Sequence, residues 1–238
     1  MTISIPSRRS LLKAASITTL ASILAIGVNP GKASAIIEMF GASSVSSSYT
    51  PFPFNTDIGN VIDQSGLSTG YTNGQDQASY LASNPTHAAP FSGNEFTSNG
   101  TGGTSGTIDF DLGSVVNVAN LVIWNDDFAG LQEFDILASL SSDFSSSTNL
   151  GSFIGLDRAN GVNYPHDLYD FADINARYIR LDVQSSHDSS VVGLGEVAFG
   201  VEASAAVPFE FSPTLGILAV GGIFGISRLR KRSAKLDK

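Results

Sequence analysis

Three histidines (His87, His166 and His187), twenty-two acidic residues and no cysteine are the material from which this chain of 238 residues would have to build chemistry. The missing cysteine excludes disulfides, zinc–thiolate sites, iron–sulfur clusters and thiol catalysis. The histidines are scattered, with no H-E-x-x-H spacing, and there is no G-x-S-x-G elbow. The densest acidic spots are Asp126-Asp127 and the trio Asp167, Asp170 and Asp173. Glycoside hydrolysis needs two carboxylates about 5–9 Å apart with one pKa raised, and no local spacing here marks such a pair. The chain therefore reads as a non-enzyme. Recognition has better material. Residues 64–93 gather Tyr71, Gln75, Tyr80, Asn84 and His87, and a second cluster holds Tyr164, His166 and Asp167. Aromatic faces beside polar forks suit sugars, which makes Tyr71, Tyr80, His87, Tyr164 and His166 candidate ligand-binding residues. The competing reading for each is a loop anchor or core filler. Trp124 lies in the apolar run LVIWN and is read as core, whereas Phe128, after two aspartates, is read as exposed.

The elements that must position these side chains are strands. In TIDFDLG, Ile108, Phe110 and Leu112 alternate with Asp109 and Asp111. EFDILASL sets Phe134, Ile136 and Ala138 on one face, ARYIRLDV sets Ile179, Leu181 and Val183, and GLGEVAFGV sets Val197, Phe199 and Val201. LVIW is apolar on both faces, as a central strand is. No stretch between residues 38 and 202 has helical periodicity, and the connectors are rich in Ser, Gly, Asn and Asp. Short alternating strands with such turns predict an all-β, antiparallel jelly-roll sandwich in one domain over residues 36–206.

The termini read as addresses outside that fold. Residues 1–35 combine a basic stretch, an apolar run from Ala14 to Val28 and the triplet Ala33-Ser34-Ala35, the pattern of a cleaved export signal. SRRSLLK fits either the Sec or the twin-arginine export machinery. Between residues 36 and 227 stand three arginines, no lysine and 21 acids, a formal charge of about −18. That excludes nucleic acid and anionic lipid as partners of the body, since both are bound through Lys and Arg. Residues 207–238 carry VPFEFSPTLGILAVGG, an apolar run too short for a comfortable membrane span, and then RLRKR. This tail resembles the PEP-CTERM class of sorting signals, in the PFE variant of cyanobacterial surface proteins. The resemblance implies an exosortase-like membrane enzyme as partner, processing of the tail and display outside the cell. A plain membrane anchor is the alternative.

The body, too, carries a resemblance. GASSVSSSY, VID at 61–63, NEFTS at 94–98, IDFDLG, NVANLVIWN, NARYIRLDV and GLGEVAFG follow one another in the order of motifs of the discoidin, or coagulation-factor 5/8 type C, family, whose fold is the galactose-binding-like jelly roll. The chain departs from the family in an insertion filling most of residues 64–93 and in lacking a cysteine pair between its ends. The resemblance implies an exported module that recognises carbohydrate or another extracellular polymer without catalysis. A structural surface protein is the alternative. It also implies one structural Ca²⁺, held by Asp63, Asn94 and Glu196 with backbone carbonyls, Ser68 being an alternative to Asn94. Oxygen-rich loops on so acidic a body suit that hard cation. The competing role for Glu196 is a partner for Arg177 or Arg180.

Overall fold

The computed structural model describes residues 35–54, 56–158 and 161–203. The export signal expected over residues 1–35, save Ala35, and the sorting segment expected over 207–238 lie outside the described residues. Among the described residues no helix is long and apolar enough to cross a membrane.

Among the described residues ten strands form, all paired antiparallel. The main sheet runs β1 (Ile37–Phe40), β10 (Gly193–Glu202), β5 (Gly106–Asn125), β9 (Asp167–Ser186), β6 (Leu131–Ser139) and β7 (Ser147–Ile154). Strand β2 (Ser44–Ser47) adds to β5, and β4 (Phe96–Thr97) adds to β10. A small second sheet pairs β3 (Thr86–His87) with β8 (Tyr164–Pro165). Strands β5 and β9 are 20 residues long, and neither ladder is regular throughout. Register shifts break it between Asp111 and Val116 and between Val118 and Asn120. The first break holds Gly113 at φ +81°, a conformation that glycine adopts without a Cβ penalty. Each long strand thus contributes one half to each of two layers, and the sheet folds over itself as a sandwich.

The inner faces are those the alternation predicts. Ile108, Phe110, Leu112, Phe134, Ile136, Ile179, Leu181, Val197 and Phe199 are all buried in one core. Phe110 meets Phe199 edge-on across it, with ring centroids 5.5 Å apart. Burying each such side chain contributes about 1.5–3 kcal/mol. Asp109 and Asp111 face outward, as expected, but not simply into water. They form two-pronged ion pairs with Arg180 (2.6 and 2.7 Å) and Arg177 (2.9 and 3.0 Å) on the neighbouring strand. This corrects the suggestion that either arginine partners Glu196.

The second departure is a third layer. Strand β10 is buried on both faces through Val201, because residues 64–93 fold back over its outer side. They include a helix that strand alternation did not reveal, α1 (Gln77–Ala82), capped by the Asp76 carboxylate accepting the Ser79 N–H at 2.8 Å. Six residues are too few to be helical unaided. Packing holds them: Met39, Tyr71, Tyr80, Val122, Trp124, Tyr164 and Ala198 form a second core. Gln77 and Asn120 exchange amide hydrogen bonds of 2.8 and 2.9 Å that tie the layer to β5.

Candidate functional site

The residues picked for ligand binding are mostly interior. Tyr71, Tyr80, His87 and Tyr164 are all buried. Tyr80 donates to the Thr69 carbonyl at 2.7 Å and meets both Tyr71 and Trp124 edge-on. His87 stacks on Tyr164 at 5.1 Å. Only His166 is half-buried, its ring 5.8 Å from that of Trp124. Tyr71, Tyr80 and Tyr164 pack over the outer faces of β5 and β10. They share the second core with Trp124, which is core as expected.

The three segments expected to share a calcium ion do converge, but a side chain stands between them. Glu196 is fully buried and accepts the Gln64 N–H at 2.9 Å and the Tyr71 hydroxyl at 3.4 Å. Burial, reinforced by nearby Asp63, pushes its carboxyl up to about 8. Asp63 is exposed and accepts the Ser65 N–H at 2.8 Å. The Asn94 carbonyl faces His87 Nε2 at 3.2 Å, and Ser68 Oγ accepts the Thr86 N–H at 3.0 Å. The His87 ring fills the space beside Gly66, where a Cβ would lie 1.9 Å from Nε2, so only glycine fits there. Burial draws this imidazole below its usual pKa. Ca²⁺ asks for six to eight oxygens. Among the described residues no three acidic or histidine side chains are grouped to hold a metal. The set Asp63, Asn94 and Glu196 does not fit the ion as arranged.

The exposed chemistry lies at the loop end of the sandwich. Phe52, Phe54, Phe91 and Phe128 all reach solvent there, Phe54 at 81 % and Phe91 at 70 % exposure. Phe52 and Phe54 lie 5.9 Å apart by ring centroids, Phe91 and Phe128 5.4 Å. A cleft of about 460 Å³ is lined by Phe52, Phe54, Thr56, Phe91, Ser92 and Gly93. Phe54 (φ 140°) and Phe91 (φ 65°) sit in backbone conformations that bulky residues avoid, at about 1–3 kcal/mol each.

Buried carboxylates hold these tips in place. Glu95 accepts the Phe91 N–H at 2.6 Å, the Ser92 hydroxyl at 3.1 Å and the Asn94 N–H at 3.0 Å. Asp126 accepts the N–H groups of Phe128 (2.6 Å) and Ala129 (3.0 Å). Asp127 accepts that of Val162 at 3.2 Å. All three are buried, and burial, together with Asp127 and Glu95, pushes the Asp126 carboxyl up to about 6. Phe128 is exposed as the sequence suggested. Phe52, Phe54 and Phe91 were not singled out, although P-F-P-F and A-P-F-S-G place aromatic residues among turn formers, where a ring has no strand face to hide on.

A second hollow, of about 680 Å³, lies towards the other end of β10. Glu38, Phe40, Asn73, Asn117, Asn175 and Glu202 contribute to its lining, with Ala35 and Ala203 at its edge.

No family model and no curated protein matches the sequence. Among solved structures, the chain is similar to chitosan-binding module 1 from the chitosanase/glucanase of Paenibacillus sp. IK-5, at 15 % identity and TM-score 0.45 over 67 % of this chain and 95 % of that one. It is also similar to the family 32 CBM from C. perfringens NanJ in complex with galactose, at 13 % identity and TM-score 0.47 over 69 % and 99 %. A third is the lectin domain of lectinolysin complexed with Lewis B antigen, at 15 % identity and TM-score 0.46 over 69 % and 95 %.

Proposed function

We propose that this chain is a non-catalytic carbohydrate-binding module, exported and displayed at the cell surface, that grips its ligand in the phenylalanine-lined cleft. The observation that carries the reading is the group of four exposed rings around that cleft. Soluble domains rarely cluster exposed apolar side chains without a binding role. Flat rings suit the apolar C–H faces of a sugar, and the Ser92 hydroxyl, which donates to Glu95, keeps its lone pairs to accept from the sugar's polar edge. Export through the signal at residues 1–35, and sorting by an exosortase-like enzyme through 207–238, would set the module outside the cell among such polymers. Glycan-array binding of the purified protein tests this. Phe54→Ala and Phe91→Ala are each expected to weaken binding about 10- to 30-fold, the effect of removing an aromatic anchor worth about 1.4–2 kcal/mol, with the melting temperature kept. Binding unchanged in both variants would remove the cleft from the reading. No binding to any glycan would favour a structural surface role.

A further inference from the structure

From the cations available near the cleft, we infer that it selects glycans carrying no carboxylate or sulfate. The inference rests on the carbohydrate-binding reading and narrows it to a ligand class. Residues 35–203 contain three arginines and no lysine against twenty carboxylates. Every one of those arginines is already engaged. Arg177 and Arg180 hold Asp111 and Asp109 through two N–H groups each, with Arg180 also lying over the Phe144 ring at 4.1 Å. Arg158 is paired with Asp167, and both side chains are largely buried. The histidines offer no substitute. His87 is buried, His166 lies against Trp124, and His187 faces the Gly155 carbonyl at 3.0 Å. None of the six is among the residues lining the cleft.

What stands behind the rings has the opposite sign. Glu95 and Asp126 accept hydrogen bonds from the backbone N–H groups of Phe91 and Phe128 themselves, and Asp127 lies beside Asp126. A uronate, sialate or sulfate entering the cleft would lose water without gaining a cation. It would also approach an acidic body within a screening length of about 8 Å at physiological salt. A neutral hexose or N-acetylhexosamine meets neither penalty, and a protonated amino sugar is drawn in by the same field.

The test uses the purified full chain on a glycan array at about 150 mM salt, scored on matched pairs that differ by a single sialate, sulfate or uronate. The acidic member of each bound pair is expected to be at least tenfold weaker. Ser92→Arg, which places a guanidinium in the lining while Glu95 keeps the Phe91 and Asn94 N–H groups, should raise the acidic-to-neutral ratio roughly tenfold. Phe91→Ala should weaken retention of amino-sugar polymers by the same roughly 10- to 30-fold, which separates cleft binding from general attraction to an acidic protein. Acidic members bound as well as their neutral partners would overturn the selection and leave the carbohydrate reading standing. An unchanged ratio in a stably folded Ser92→Arg protein would do the same. Absence of binding to every glycan would overturn both.

Discussion

The two ends of strand β10 carry hollows of different character. Towards Glu202, the ladder with β5 slips between Gly200 and Val201, the β5–β9 ladder slips between Val118 and Asn120, and a groove of about 680 Å³ opens beside these irregularities. Three asparagines and two glutamates share its lining with Val115, Val116, Val201 and a single aromatic residue, Phe40. Towards Gly193, the hollow is smaller, about 460 Å³, but three of its lining residues are phenylalanines. The groove is space left by strands that part. The cleft is built, with buried acceptors behind two loop tips and two aromatic residues in unfavourable backbone conformations. Volume alone does not choose between them, because recognition follows what the walls present and how firmly they are held.

Removing the support should have the largest effect. Glu95→Ala strands three donors of the 91–94 loop, and thermal or denaturant unfolding is expected to show a loss of about 2–3 kcal/mol, with glycan binding lost as well. Asn175→Ala, at the other end, should cost less than about 0.5 kcal/mol and leave binding intact. A comparable loss at both ends would dissolve the distinction.

Acidity offers a second probe. The Asp126 carboxyl is raised from 3.8 to about 6 in the folded protein, so the folded state holds that proton more tightly than the unfolded chain. Its contribution to stability is full below about pH 4 and is lost as pH rises through about 6, by at most about 3 kcal/mol. Asp111 and Asp188 are lowered and act in the opposite sense. The quantity to measure is therefore the difference in stability between the wild type and Asp126→Asn from pH 4 to 7.5, since asparagine keeps the oxygen that faces Phe128 and Ala129. A difference that does not vary with pH would contradict the burial of this group. The smallest effect concerns the ion: with the Asp63, Asn94 and Glu196 segments engaged as they are, millimolar Ca²⁺ should raise the melting temperature no more than Mg²⁺ at equal ionic strength. A calcium-specific rise abolished by Glu196→Gln would restore the cross-brace.

Strand positions were legible because alternation is a direct record of which face meets the core: Phe110, Ile136, Leu181 and Phe199 all point where the pattern sends them. The fate of Tyr71, Tyr80 and Tyr164 was not, because an aromatic residue in a polar loop has no period to declare its side. The decisive signal lay elsewhere. A strand apolar on both faces, as LVIW is, needs cover on both, and the outer cover over Val122 and Trp124 comes from residues 64–93. Glu196 was correctly marked as out of phase, but its environment is set by Gln64 and Tyr71, more than 120 residues away in sequence. No local rule reaches that far.

Strands β1 and β10 are antiparallel neighbours with Ile37 opposite Glu202, and the Ala203 N–H bonds the Ile36 carbonyl at 2.8 Å. Both described ends therefore leave from one pole, and the phenylalanine tips stand at the other, beyond about 33 Å of β10 at about 3.3 Å per residue. Tension applied between the tips and Ala203 would run lengthwise along β10. Its ladders to β1 and β5 would then be loaded in shear, with many hydrogen bonds resisting together. Tension applied between Ile36 and Ala203 would instead peel β1 from β10 one bond at a time. The same domain is thus built to be strong in one direction of pull and weak in the other.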